Sequence, residues 1–150
     1  MPDSGIATGT TKGGDEVSGR HVFVVYGSPV AQGRPRFFRR GNFVGAYDPD
    51  KSRDWKRTVM AQALEQLGGQ AEIHDGPLTL KLFFHLPRPK SLPKKVQHHI
   101  KKPDADNLAK AIKDALRGVV YRDDSQIVAL EVRKAYGDPP RVLIGVEEIA

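Results

Sequence analysis

The chain has no cysteine. That excludes disulfide staples and thiolate metal sites, and it accords with a reducing compartment. No apolar run approaches the roughly 20 residues that a membrane span requires. The N-terminal residues also lack the charged-then-apolar pattern of a secretory signal, so a cytoplasmic setting without membrane partners is expected. Aromatic residues are only 7% of the chain, so a core must come chiefly from Val, Leu and Ile. One long stretch has no acids. Between Asp75 and Asp104 every formal charge is positive, carried by Lys81, Arg88, Lys90, Lys94, Lys95, Lys101 and Lys102.

The 150 residues carry a net charge of +6, a balance that favours polyanionic partners. Residues 1–19 oppose the trend, with Lys12 against Asp3, Asp15 and Glu16 for a net of −2, so residues 20–150 carry +8. The first 19 residues are rich in Gly, Thr, Ser and Asp and read as a disordered tail. Residues 20–150 are long enough for one domain with a real core.

Period and punctuation give the element order. His21–Tyr26 is β-branched and aromatic and reads as a strand. Arg36–Phe38 and Asn42–Tyr47 flank Arg40-Gly41 as a hairpin. Asp50 or Ser52 is expected to cap a helix that runs to Leu67, with Trp55, Val59, Met60, Ala63, Leu64 and Leu67 at helical spacing. Trp55 is expected to anchor the core or a dimer contact. Leu78–Leu86 alternates with period two and reads as a half-buried strand. Pro87, Pro89 and Pro93 then punctuate a basic loop over 87–103. Asn107–Arg117 is a second helix, with Leu108, Ala111, Ile112, Ala115 and Leu116 as its buried stripe and Gly118 closing it. Strands follow at Ile127–Ala135 and Val142–Ile149. The whole predicts an α+β fold: a mixed sheet with two helices on a face.

Against this basic background, clustered acids call for a cause. Asp104 and Asp106 fall at the start of the second helix, and Asp123 and Asp124 follow its end. At about 100° per residue, Asp106, Lys110, Lys113 and Arg117 share a sector opposite the apolar stripe. Carboxylates brought within about 4 Å of one another repel by several kcal/mol. A divalent cation reverses that repulsion, and Mg²⁺ takes oxygen ligands together with substrate phosphate. Helix capping explains one acid without a metal. An ordinary turn explains Asp123-Asp124. A surface pair with Lys110 is the default for Asp114. A D-x-D pair by itself also occurs in glycosyltransferases and in phosphatases with an aspartyl nucleophile. Here Leu108 stands where those phosphatases carry Thr or Val, and no apolar strand precedes the pair.

Lys102-Pro103-Asp104-Ala105-Asp106-Asn107-Leu108-Ala109-Lys110, followed by Asp123-Asp124-Ser125-Gln126, resembles the signature of the RusA family of Holliday junction resolvases. Ala31-Gln32-Gly33-Arg34-Pro35-Arg36-Phe37 is a weaker echo of that family's N-terminal G-R-P-R-F segment. The resemblance implies a RusA-like fold and a Mg²⁺-dependent endonuclease, with Mn²⁺ as the alternative ion. It implies a bacterial or phage-encoded homodimer acting on four-way DNA junctions in recombination and repair. It carries the catalytic carboxylates onto Asp104, Asp106 and Asp124, which would hold the metal, and the essential lysine onto Lys110. Asp123 is secondary. Tyr121 (or Val120) stands where the family carries Trp. A two-fold dimer also suits paired nicks on symmetry-related strands.

Arg34, Arg36, Arg39 and Arg40 are expected to grip phosphates, together with Lys94, Lys95, Lys101, Lys102 and Lys113. His98-His99 is read as a DNA contact or a solvated pair, since adjacent loop histidines rarely chelate one ion. His21, His74 and His85 carry no signal. Two other readings share these residues: a non-catalytic branched-DNA-binding module, and a branched-DNA nuclease without strict junction preference.

Overall fold

A computed structural model describes residues 19–47 and 49–149. The elements follow in the order β1 (Arg20–Tyr26), β2 (Arg36–Arg40), β3 (Phe43–Tyr47), α1 (Asp50–Gln66), β4 (Leu78–Leu86), α2 (Ala105–Leu116), β5 (Ile127–Tyr136) and β6 (Arg141–Glu148), with a 3₁₀ turn at Asp124–Gln126 just before β5. The tail expected at 1–19 falls outside the described residues except for Gly19, whose carbonyl accepts the Glu148 amide at 2.9 Å.

Four strands form one mixed sheet in the order β1-β6-β4-β5. β4 is its spine, antiparallel to β6 and parallel to β5. The alternation read from the sequence is realised residue by residue. Leu78, Leu80, Leu82, Phe84 and Leu86 are buried, while Thr79, Lys81, Phe83 and His85 face the other side. Two parallel neighbours need a crossover, and α2 lies on that connection. It buries Leu108, Ala109, Ala111, Ile112, Ala115 and Leu116. α1 adds Trp55, Val59 and Ala63 to the same cluster, which also takes Phe23 and Val25 from β1 and Val142, Ile144 and Val146 from β6. Each buried Val, Leu or Ile side chain in this cluster contributes about 2 kcal/mol by leaving water. The fold is therefore α+β, with both helices on one face of a mixed sheet, as the pattern predicts.

Several local expectations are corrected. Neither Asp50 nor Ser52 caps α1. Pro49 holds the N-cap position with no side-chain cap bond, Asp50 is the first helical residue, and Ser52 donates back to the Pro49 carbonyl at 3.2 Å. Met60 is 39% exposed and stays out of the core. Trp55 is a core residue, lying so close to Gly27 that a Cβ there would sit 3.1 Å from the indole. α2 begins at Ala105, two residues before the expected Asn107. Gly118 follows it in a left-handed conformation, as a helix stop requires. The hairpin forms as expected, with Gly41 at a φ of 58° in its turn. It is a separate two-stranded sheet, and its strands expose Phe37, Phe43, Val44 and Tyr47.

Candidate active site

The two aspartates of the 123–126 segment have different tasks. Asp123 is a structural cap. Its carboxylate accepts from the Ser125 amide at 3.0 Å and from the Ser125 hydroxyl at 2.5 Å. Those bonds hold its pKa below the ordinary carboxylate range, the hydroxyl bond being the larger cause. Gln126 closes the capping box and does more. Its Oε1 accepts the amides of Arg122 at 2.7 Å and Asp123 at 3.0 Å. Its Nε2 donates to the carbonyls of His74 at 2.8 Å and Gly76 at 3.0 Å. One side chain thus fastens the turn to itself and to the loop before β4.

The Asp124 carboxylate takes no part in that bonding. Its Oδ1 is shielded from solvent and has no hydrogen-bond partner. A shielded, unsatisfied carboxylate oxygen costs several kcal/mol unless a cation or donor answers it. Asp124 lines an open cleft of about 290 Å³ together with Gln32, Lys56, Lys110, Lys113 and Asp114. Beneath it, the fully buried Tyr121 donates its hydroxyl to the Lys113 carbonyl at 2.6 Å. Burial, and then the nearby Asp124 carboxylate, push the pKa of this phenol far upward. Tyr121 therefore acts as a neutral core donor fixing the last turn of α2.

Lys110 and Lys113 reach the cleft from the exposed side of α2, opposite the apolar stripe. Lys56 comes from α1. Its ammonium is 2.7 Å from the Asp114 carboxylate, which Arg117 also contacts. Asp114 is thus tied across to the other helix, and the surface pair with Lys110 expected for it does not form. Gln32 is placed by its amide, which donates to the Asn107 carbonyl at 3.0 Å. That bond lays the segment before the hairpin across the start of α2.

Asp104 and Asp106 lie at the N-terminal end of the same helix. Asp104 occupies the N-cap position, yet its side chain makes no cap bond, so capping does not account for it. It is about half exposed, and Lys102 approaches it at 3.7 Å. Asp106 is exposed in the first turn, one helical turn or about 6 Å before Lys110 on the same side. Neither residue lines the cleft with Asp124. Among the described residues, the three aspartates do not form a set of ligand atoms all within 4.8 Å of one another. From β5, Lys134 donates to the carbonyls of Lys101 at 2.8 Å and Pro103 at 2.9 Å, fixing the approach to Asp104.

Sequence reasoning missed Lys56, Gln32 and Lys134. Lys56 had a usable signal, being a lysine on the buried stripe of α1 near Trp55 and Val59. Gln32 lay within the segment that echoes the family, and Lys134 had no signal, because its partners are backbone groups far away in the chain. Arg34, Arg36, Arg39, Arg40, Lys94, Lys95, Lys101 and Lys102 are all exposed. Arg40 lies over the Phe38 ring at 5.7 Å. His99 packs on Tyr136 with ring centres 4.8 Å apart.

The cleft carries two carboxylates, Asp124 and the Asp114 already paired with Lys56 and Arg117, beside the ammonium groups of Lys56, Lys110 and Lys113. Hard oxygen donors and an unsatisfied Oδ1 fit a divalent cation of the Mg²⁺ type, and the lysines fit the phosphate that such an ion meets. A relative from Bacillus subtilis (strain 168), an uncharacterized protein called YqaN, is 38% identical over 138 residues, covering 85% of this chain and 96% of its own. The family model for the endodeoxyribonuclease RusA matches residues 26–147. That span contains the cleft, the hairpin and both aspartate pairs, and the chain belongs to the RusA endodeoxyribonuclease family.

Proposed function

We propose that this protein is a Mg²⁺-dependent endonuclease that resolves four-way (Holliday) junctions by paired symmetric nicks, in DNA recombination and repair. One observation carries the reading: the Asp124 oxygen, shielded and unsatisfied, in a cleft lined by Lys110 and Lys113. Asp124, with Asp104 and Asp106 from the start of α2, would hold Mg²⁺, with Mn²⁺ as the substitute. When bound, such an ion activates water and stabilises charge on the phosphate and the leaving oxygen.

The chain's own residues supply the remainder. Lys110 holds a non-bridging phosphate oxygen, and Lys113 adds a second cation on the same side. The Lys56–Asp114 pair ties α1 to α2 and so fixes the width of the cleft. Capping by Asp123 and Gln126 leaves Asp124 aimed at the cleft. The basic residues at 94–102 lead the strand toward it. Arg34, Arg36, Arg39 and Arg40 grip backbone phosphates, and the exposed hairpin aromatics beside them are suited to stack on unpaired bases at a branch point.

Residues 20–150 act as one nuclease domain, and the functional unit is a homodimer in the cytoplasm of a bacterium, encoded by host or phage. Two active sites related by a two-fold axis match a substrate that must be nicked on two strands. No helix among the described residues is long and apolar enough to cross a membrane.

A labelled four-way junction incubated with Mg²⁺ or with EDTA tests the proposal. Paired nicks with Mg²⁺ and none with EDTA are expected, with rates on a flap and on linear duplex at least about tenfold lower, the equivalent of roughly 1.4 kcal/mol. Binding without nicking would make the protein a branched-DNA-binding module. Equal rates on junction and flap would remove the junction preference.

A further inference from the structure

A second cluster of ligating side chains lies apart from the aspartate cleft, built from residues distant in the sequence. His21 is the second residue of β1, Glu72 and His74 lie in the loop after α1, and Glu148 ends β6. Ligand atoms of His21, Glu72 and His74 all lie within 4.8 Å of one another. The two Nε2 atoms face each other at 2.9 Å, and a Glu72 oxygen is 3.6 Å from the His21 Nε2. His74 is 8% exposed, and its Nδ1 is 2.8 Å from a Glu148 oxygen.

The geometry points to a site for one zinc-like divalent transition-metal ion, held by His21 Nε2, His74 Nε2 and the Glu72 carboxylate. This inference is independent of the nuclease reading. Zinc bonds imidazole nitrogen and carboxylate oxygen at about 2.0–2.2 Å in tetrahedral sites, which places neighbouring donor atoms about 3.3 Å apart. The observed 2.9 and 3.6 Å bracket that value, so small side-chain adjustments complete the set. One tautomer of His74 suits the ion as well. With the Nδ1 proton of His74 directed to Glu148, its Nε2 offers a lone pair. A carboxylate behind a ligating histidine is the usual second partner of such an ion, fixing the tautomer and raising ligand basicity. His21 then carries its proton on Nδ1. Two neutral imidazoles and one carboxylate are a borderline donor set that prefers zinc, nickel or copper to magnesium, and water would fill the fourth position.

The site's location gives it a structural task. The His74 carbonyl is the group that Gln126 grips, and the His74 amide bonds the Val120 carbonyl at 3.0 Å. An ion on His74 would therefore brace β1, the loop before β4 and the turn carrying Asp124 as one unit.

The test uses the full chain, stripped by a chelator and then titrated with Zn²⁺ in excess Mg²⁺ by calorimetry. One Zn²⁺ per chain is expected, with a rise in Tm, and Co²⁺ in its place should give the strong visible bands of four-coordinate cobalt. His21→Gln should abolish stoichiometric uptake. Glu72→Gln alters a largely exposed carboxylate, should keep the fold, and should weaken uptake. Glu148→Gln should weaken it about 10- to 100-fold. Asp124→Asn should leave it unchanged. Absence of stoichiometric uptake by the unaltered chain would overturn the site. So would uptake that survives His21→Gln but is lost in Asp124→Asn, which would put the ion in the aspartate cleft.

Discussion

Asp124→Asn is expected to bind a four-way junction as tightly as the unaltered protein and to cut it about a thousandfold more slowly with Mg²⁺. The magnitude follows from what the carboxylate does. Charge stabilisation through a metal ligand contributes several kcal/mol to the transition state, and each 1.36 kcal/mol is tenfold in rate, so losing about 4 kcal/mol gives about three decades. Asparagine keeps the shape and removes the charge that attracts the cation. The adjoining residue provides the control. Asp123 uses its carboxylate to cap the 3₁₀ turn, and asparagine caps about as well as aspartate. Asp123→Asn should therefore change cleavage only a few-fold. Single-turnover cleavage of a labelled junction, with binding followed separately in EDTA, reads both variants. Equal losses in the two would mean that the turn matters and the Asp124 oxygen does not.

Gln126→Ala should be costly in a different way. It removes four hydrogen bonds at once: two accepted from the Arg122 and Asp123 amides and two donated to the His74 and Gly76 carbonyls. A hydrogen bond contributes about 1 kcal/mol net, and water reaches the two amides more readily than the two carbonyls. The sum is about 3 kcal/mol, or roughly 9 °C in Tm for a chain of this size. Cleavage should also fall at temperatures where the protein is still folded, because Asp124 loses the frame that aims it. Junction binding through the exposed arginines and lysines should change little. Thermal unfolding paired with a cleavage assay well below Tm separates the two effects. A Tm drop of less than about 2 °C, which corresponds to under 1 kcal/mol, would mean that Gln126 does not hold the turn.

Wherever a local pattern had one physical cause, the sequence was enough to read the fold. The alternation from Leu78 to Leu86 required one buried face, and the stripe from Leu108 to Leu116 required one helix side. The start of α1 was misread because Asp50 and Ser52 are good caps in general. Here Pro49 takes the N-cap position in an extended conformation, and Ser52 turns back onto its carbonyl. The site was legible only in part. Lys110, Lys113 and Asp124 share the cleft because the helix period and the short connection to β5 put them there. Asp104 and Asp106 lie on the same helix but do not line that cleft. The contacts that complete the neighbourhood span the chain. Lys56 and Asp114 are 58 residues apart, and His21 and His74 are 53 apart. Such pairs arise from the packing of α1 on α2 and the closure of the sheet by β6, and no window of sequence contains both partners.

The central claim is that Asp124 is a metal ligand, and anomalous diffraction from a crystal grown with Mn²⁺ tests it most directly. A manganese peak at bonding distance, about 2.1–2.2 Å, from the Asp124 Oδ1 is predicted, with Asp104 or Asp106 or both drawn to the same ion and Lys110 alongside. Such bond lengths are those of hard divalent cations on carboxylate oxygen. A well-ordered manganese ion elsewhere in the molecule, with Asp124 left uncoordinated, would contradict the account.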